Sequence, residues 1–76
     1  MKNMKYEVSV IDRDCKFYKL NDLDGERLAT IEFAGWKFYK YNVSFSYKKV
    51  ENNLAKERNF RTLAEAKKYV AEVLAA

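Results

Sequence analysis

The chain has no histidine and no proline, and only one cysteine and two glycines among its 76 residues. Without histidine, neither Cys15 nor any serine has an imidazole base to activate it, so histidine-dependent nucleophilic and acid–base catalysis within the chain is excluded. Cys15 has no partner for an internal disulfide, and no second thiol or imidazole exists to complete a zinc site. No metal or other cofactor is implied, and the single thiol fits a reducing, cytoplasmic setting. No apolar run approaches the roughly 20 residues of a membrane span, and the N-terminus lacks the apolar core of a signal peptide. A membrane partner and secretion are therefore disfavoured. The Pro/Gly/Ser bias of disordered chains is also missing, with 49% hydrophobic and 34% charged residues present instead. Residues 1–76 are expected to form a single globular domain with one modest core. Met1 and Met4 are both candidate starts, which makes residues 1–4 a loose end.

Alternation supplies the strands. Tyr6, Val8 and Val10 alternate with Lys5, Glu7 and Ser9, a period of two that predicts a half-buried strand ending near Asp12. Cys15 to Leu20 predicts a second strand, and Asn21-Asp22-Leu23-Asp24-Gly25 carries the turn chemistry for reversal into a third over Arg27 to Phe33. After Ala34-Gly35 the longest candidate strand runs from Trp36 to Val50, with Tyr41, Val43, Phe45 and Tyr47 facing one way and Lys40, Asn42, Ser44, Ser46 and Lys48 the other. Trp36 and Phe38 sit on the wrong parity for that pattern. Either a bulge at Tyr39-Lys40 returns them to the core, or they stand on the polar face. Burial statistics for large aromatics favour the core. Glu51-Asn52-Asn53 reads as a turn, and Leu54 to Phe60 as a polar edge strand, with a short helical turn over Leu54 to Arg58 as the competing reading.

Thr62 followed by Glu65 is a capping box that starts a helix. From Leu63, the stripe Ala66, Tyr69, Val70, Val73 and Leu74 faces inward, and Glu65, Lys68 and Glu72 face water. The Tyr69 hydroxyl is expected to reach solvent at the rim. The fold class is α+β: a small antiparallel meander of four to five strands packed on one face by a C-terminal α-helix.

Charge singles out a region. Residues 36–61 hold seven cations against two carboxylates, a net +5, while the rest of the chain carries −1. The same stretch holds more than half of the aromatics. Exposed aromatics stack on bases and ammonium or guanidinium groups neutralise phosphates, so Trp36, Phe38, Lys40, Lys48, Lys49, Lys56, Arg58 and Arg61 are the candidate nucleic-acid-binding residues. The bland alternative makes the aromatics core and the lysines a solubility feature; Arg58 and Arg61 either fork onto phosphates or pair with Glu57 and Glu65, and such exposed pairs do not preclude binding. Carboxylates Asp12, Asp14, Asp22, Asp24 and Glu26 cluster at two turns, where they are read as turn formers rather than catalysts. The Asp22-x-Asp24-Gly25 run fails as a calcium loop, because aligning Gly25 with the loop glycine places Leu20 and Ile31 at the first and last ligand positions.

From about Tyr41 to Leu74, the order strand, turn, basic strand, then Phe60-x-Thr62-x-x-Glu65-Ala66-x-x-Tyr69 and helix resembles the DNA-binding modules of the AP2 type and the arm-binding domains of tyrosine recombinases. The resemblance implies a sheet laid in the major groove with a helix bracing it, and assigns DNA contact to Lys40, Lys48, Lys56 and Arg58. It covers less than half the chain.

Two classes of function follow. One is a non-enzymatic nucleic-acid-binding module using the outer sheet face. The other is a protein-binding inhibitor or adaptor of the kind phages and mobile elements encode as short chains, anti-CRISPR and other anti-defence proteins included, acting on a nucleic-acid-binding target. Homodimerisation through an edge strand is compatible with both.

Overall fold

The computed structural model describes residues 5–46, 50 and 53–75. The expected loose end at residues 1–4, together with Tyr47, Lys48, Lys49, Glu51 and Asn52, lies outside them. Five strands, β1 (Tyr6–Asp12), β2 (Cys15–Asn21), β3 (Arg27–Ala34), β4 (Tyr41–Phe45) and β5 (Arg58–Phe60), precede one helix, α1 (Leu63–Ala75). The strands form one antiparallel sheet in sequential order, the expected meander, and α1 packs on one face of it.

Short-range polar chemistry makes the turns. At the β1–β2 turn the Asp12 carboxylate accepts the Asp14 N–H at 2.8 Å. In the β2–β3 turn, Asp22 Oδ1 accepts the N–H groups of Asp24 and Glu26 at 2.9 and 3.0 Å, and Gly25 adopts φ +82°, which residues with a Cβ rarely take. These carboxylates hold backbone amides, as turn formers do. Thr62 Oγ1 accepts the Glu65 N–H at 3.2 Å and donates to Glu65 Oε1 at 3.1 Å, which caps α1 where the sequence places its start.

Register then defines the two faces. Tyr6–Leu20–Ala29–Phe45 and Val8–Tyr18–Ile31–Val43–Arg58 are cross-strand rows on the helix side. Ala66, Val70 and Val73 of α1 are buried, and Leu20, Ala29, Ile31 and Val43 are buried beneath the helix face of the sheet. Fully removing each large aliphatic side chain from water contributes about 1.5–3 kcal/mol. Phe45, Phe60 and Tyr69 close the β4–β5 side as a ring cluster, with centroids 5.7 Å (Phe45–Tyr69) and 5.3 Å (Phe60–Tyr69) apart.

Four expectations are corrected by this arrangement. The long strand from Trp36 is only Tyr41–Phe45, because residues 35–40 leave the sheet as a loop. The edge strand from Leu54 shrinks to Arg58–Phe60, and Asn53-Leu54 form a turn rather than a helical turn. No bulge brings Trp36 and Phe38 back; the ladder irregularities fall at Ile11 and Leu28. Finally, Val8 and Val10 remain 50% and 60% exposed. The reason is geometric: five strands spaced about 4.8 Å apart span roughly 19 Å, whereas a helix with its side chains is about 10–12 Å wide. Helix α1 packs on β3, β4 and β5 and reaches β1 at Tyr6, where the Lys67 ammonium lies 4.9 Å from the ring centroid, leaving Val8 and Val10 uncovered.

Candidate nucleic-acid interface

Residues 35–40 form a closed loop between β3 and β4. The Ala34 N–H donates to the Lys40 carbonyl at 2.8 Å and the Lys37 N–H donates to the Ala34 carbonyl at 3.1 Å, which pins the loop at its neck. Gly35 donates its N–H to the Asp14 carbonyl at 2.8 Å, tying the loop to the β1–β2 turn. A Cβ at position 35 would meet Asp14 Oδ1 at 3.0 Å and Phe33 Cζ at 3.3 Å, so glycine permits the close approach.

The loop presents its rings outward. Trp36, Phe38 and Tyr39 are 67%, 69% and 49% exposed, so neither Trp36 nor Phe38 belongs to the core. Phe38 and Tyr39 meet edge to face, with centroids 5.1 Å apart and planes at 87°. Arg61, in the link between β5 and α1, lays its guanidinium 4.5 Å from the Phe38 centroid and 5.4 Å from that of Tyr39. A stacked guanidinium keeps its in-plane N–H donors available to an anion. Among the described residues, Trp36 makes no ring contact of this kind. Lys37 and Lys40 are exposed beside these rings. On the opposite flank the β1–β2 turn carries Asp12, Asp14 and Arg13, the last 3.9 Å from Asp14.

The structure does not bring all eight candidate residues together. Trp36, Phe38, Lys40 and Arg61 share one end of the sheet. Arg58 instead lies on the helix side, its guanidinium 5.6 Å from the Phe60 centroid and 5.3 Å from that of Tyr69, rather than paired with Glu57. Arg58 and Lys56 line a separate open pocket of about 340 Å³ together with Leu54, Tyr69 and Glu72. Lys48 and Lys49 fall outside the described residues. The outer sheet face is not the basic surface either. Register places Glu7 and Glu32 there with Lys19 and Arg27, and its centre holds Thr30, Asn42 and Ser44, with Asn42 Nδ2 donating to Asn59 Oδ1 at 2.9 Å.

Two tyrosines outside the loop, Tyr6 on β1 and Tyr41 at the start of β4, carry perturbed acidities. Burial pushes Tyr6 up to about 12, and its hydroxyl, shielded from solvent, has no hydrogen-bond partner among the described residues. Burial, with a smaller contribution from Tyr18, also raises Tyr41. The sequence pointed to Trp36 and Phe38 through their parity conflict, but nothing in it signalled that Arg61 would fold over Phe38.

No helix among the described residues is long and apolar enough to cross a membrane, and no group of three or more His, Cys, Asp and Glu side chains there could hold a metal ion. Compared with known proteins, the chain matches no protein-family model, no curated protein and no solved structure.

Proposed function

We propose that this chain is a small non-enzymatic nucleic-acid-binding protein whose contact surface is the β3–β4 loop with Arg61. The observation that carries the reading is the exposed Trp36-Phe38-Tyr39 cluster with Arg61 stacked on it and Lys37 and Lys40 alongside. Leaving three large rings in water has no folding advantage, whereas bases supply π-faces to cover them and phosphates supply counter-charges. Fluorescence anisotropy with labelled oligonucleotides at about 50 mM salt tests it. With Lys37, Lys40 and Arg61 each neutralising one phosphate, the log–log salt slope is expected near −2 to −3, and Lys40→Glu or Arg61→Glu should weaken binding about tenfold or more. Absence of binding, or binding indifferent to both variants, would refute the reading.

A second reading, a protein-binding inhibitor or adaptor of phage type, draws on the β1 edge, where Val8, Val10 and Ile11 are all at least half exposed. Capture of a defined protein target that is lost in Val8→Asp and retained in Lys40→Glu would favour it.

A further inference from the structure

Resting on the nucleic-acid reading, we propose that the loop takes single-stranded nucleic acid, with bases stacked on Trp36 and on the exposed Phe38–Tyr39 pair and one phosphate strand running along Arg61, Lys37 and Lys40. The charge around the rings is uneven. Cations lie on the loop itself and on the β5–α1 side, where Arg61 reaches Phe38. On the other flank Gly35 is bonded to the Asp14 backbone, and the β1–β2 turn there exposes Asp12 and Asp14 with Arg13 between them, a net charge of −1 against the +3 of Lys37, Lys40 and Arg61. A duplex groove has a phosphate backbone along each wall, so an element entering it needs cations on both flanks. Here a second backbone would meet two carboxylates and a single cation, Arg13, which lies 3.9 Å from Asp14.

The rings argue in the same direction. A stacked duplex shows base edges to an incoming protein and keeps its base faces covered, whereas an unpaired strand offers faces that three exposed rings can take. The positions of the rings divide the labour. Arg61 already lies 4.5 Å from the Phe38 centroid and Tyr39 meets Phe38 at 87°, so that ring is braced and less open than Trp36. Trp36, without a ring partner among the described residues, is the principal platform. The balanced outer face of the sheet adds nothing for a duplex to lie against.

Trp36 is the only tryptophan, so fluorescence excited at the red edge of indole absorption, beyond that of the six tyrosines, reports on this platform alone. The experiment titrates the full chain at low salt with a ten-nucleotide single strand of thymidine, a mixed-sequence duplex of the same length, and an abasic deoxyribose-phosphate strand. The expected result is saturable quenching by the single strand, with the duplex and the abasic strand bound at least fivefold more weakly. Trp36→Ala, followed by anisotropy, should weaken the single strand by roughly 5- to 100-fold while leaving the salt slope unchanged. Trp36→Phe, which keeps a stacking ring, should recover most of that loss. Duplex or abasic strand binding as tightly as the single strand would overturn the stacking assignment and leave the nucleic-acid reading standing. No binding of any of the three would overturn both and return the exposed rings to a protein partner.

Discussion

Replacing Tyr69 by phenylalanine removes one oxygen that fastens the segment before β5 to the helix. The Tyr69 hydroxyl donates to the carbonyls of Leu54 and Lys56, both at 2.8 Å, and accepts the Lys56 N–H at 3.2 Å. One proton is shared between two carbonyls, so the hydroxyl makes the equivalent of about two hydrogen bonds, each worth roughly 1 kcal/mol net. Leu54 and Lys56 are exposed, and water can rehydrate their backbone groups once the oxygen is gone. The expected loss is therefore about 1–2 kcal/mol, or roughly 4–15 °C in Tm for a chain of this length. The ring remains, so its packing on Phe45 and Phe60 and the Arg58 guanidinium above it should persist. Urea denaturation should give a lower midpoint at unchanged m-value, and the Lys56 amide should exchange faster with solvent. An unchanged midpoint with full protection at Lys56 would show that the hydroxyl does not clamp this segment.

Three further outcomes follow from the same packing. Thr62→Ala removes the acceptor for the Glu65 amide and should cost about 1 kcal/mol, with amide exchange accelerated in the first turn of α1. Ile31→Ala opens a cavity at a fully buried position and should cost about 2–5 kcal/mol in urea denaturation, a large share of the roughly 4–11 kcal/mol available to a chain of this size. Tyr6 keeps its proton in the folded state up to about pH 12, while in the unfolded chain it loses it near 10, so its contribution to stability is constant below about pH 10 and is lost as pH rises towards 12. Tyr6→Phe should reduce that alkaline slope, leaving the smaller contribution of Tyr41, and a slope equal to wild type would contradict the assignment.

The elements that the sequence made legible are those whose signal is local. Thr62 and Glu65 are three residues apart and cap the helix by themselves, and the Ala66, Val70, Val73 stripe records the 3.6-residue period of a buried face. Asp22 and Gly25 likewise carry their turn within five residues. What could not be read depends on contacts distant in sequence. The Trp36–Phe38 parity conflict was visible, but only the pairing of Ala34 with Lys40 shows that the chain leaves the sheet there rather than bulging. Alternation at Val8 and Val10 marks a strand with an apolar face and says nothing about whether a helix is wide enough to cover it. The Tyr69 hydroxyl was expected in solvent because its backbone partners, Leu54 and Lys56, lie 15 and 13 residues away. Of the candidate site, the residue types were legible and their grouping was not: Arg61 joins the aromatic loop, and Arg58 turns to the helix side.

The measurement that tests the central claim most directly is a chemical-shift map of the ¹⁵N-labelled chain during titration with a short single-stranded oligonucleotide. The account predicts that the largest changes fall on the backbone and indole N–H of Trp36, on residues 37–40, and on the Arg61 side-chain N–H, with the outer-face residues Thr30, Asn42 and Ser44 unmoved. Changes centred on that outer face, on Val8 and Val10 of β1, or on the pocket beside Lys56 and Arg58 would contradict it.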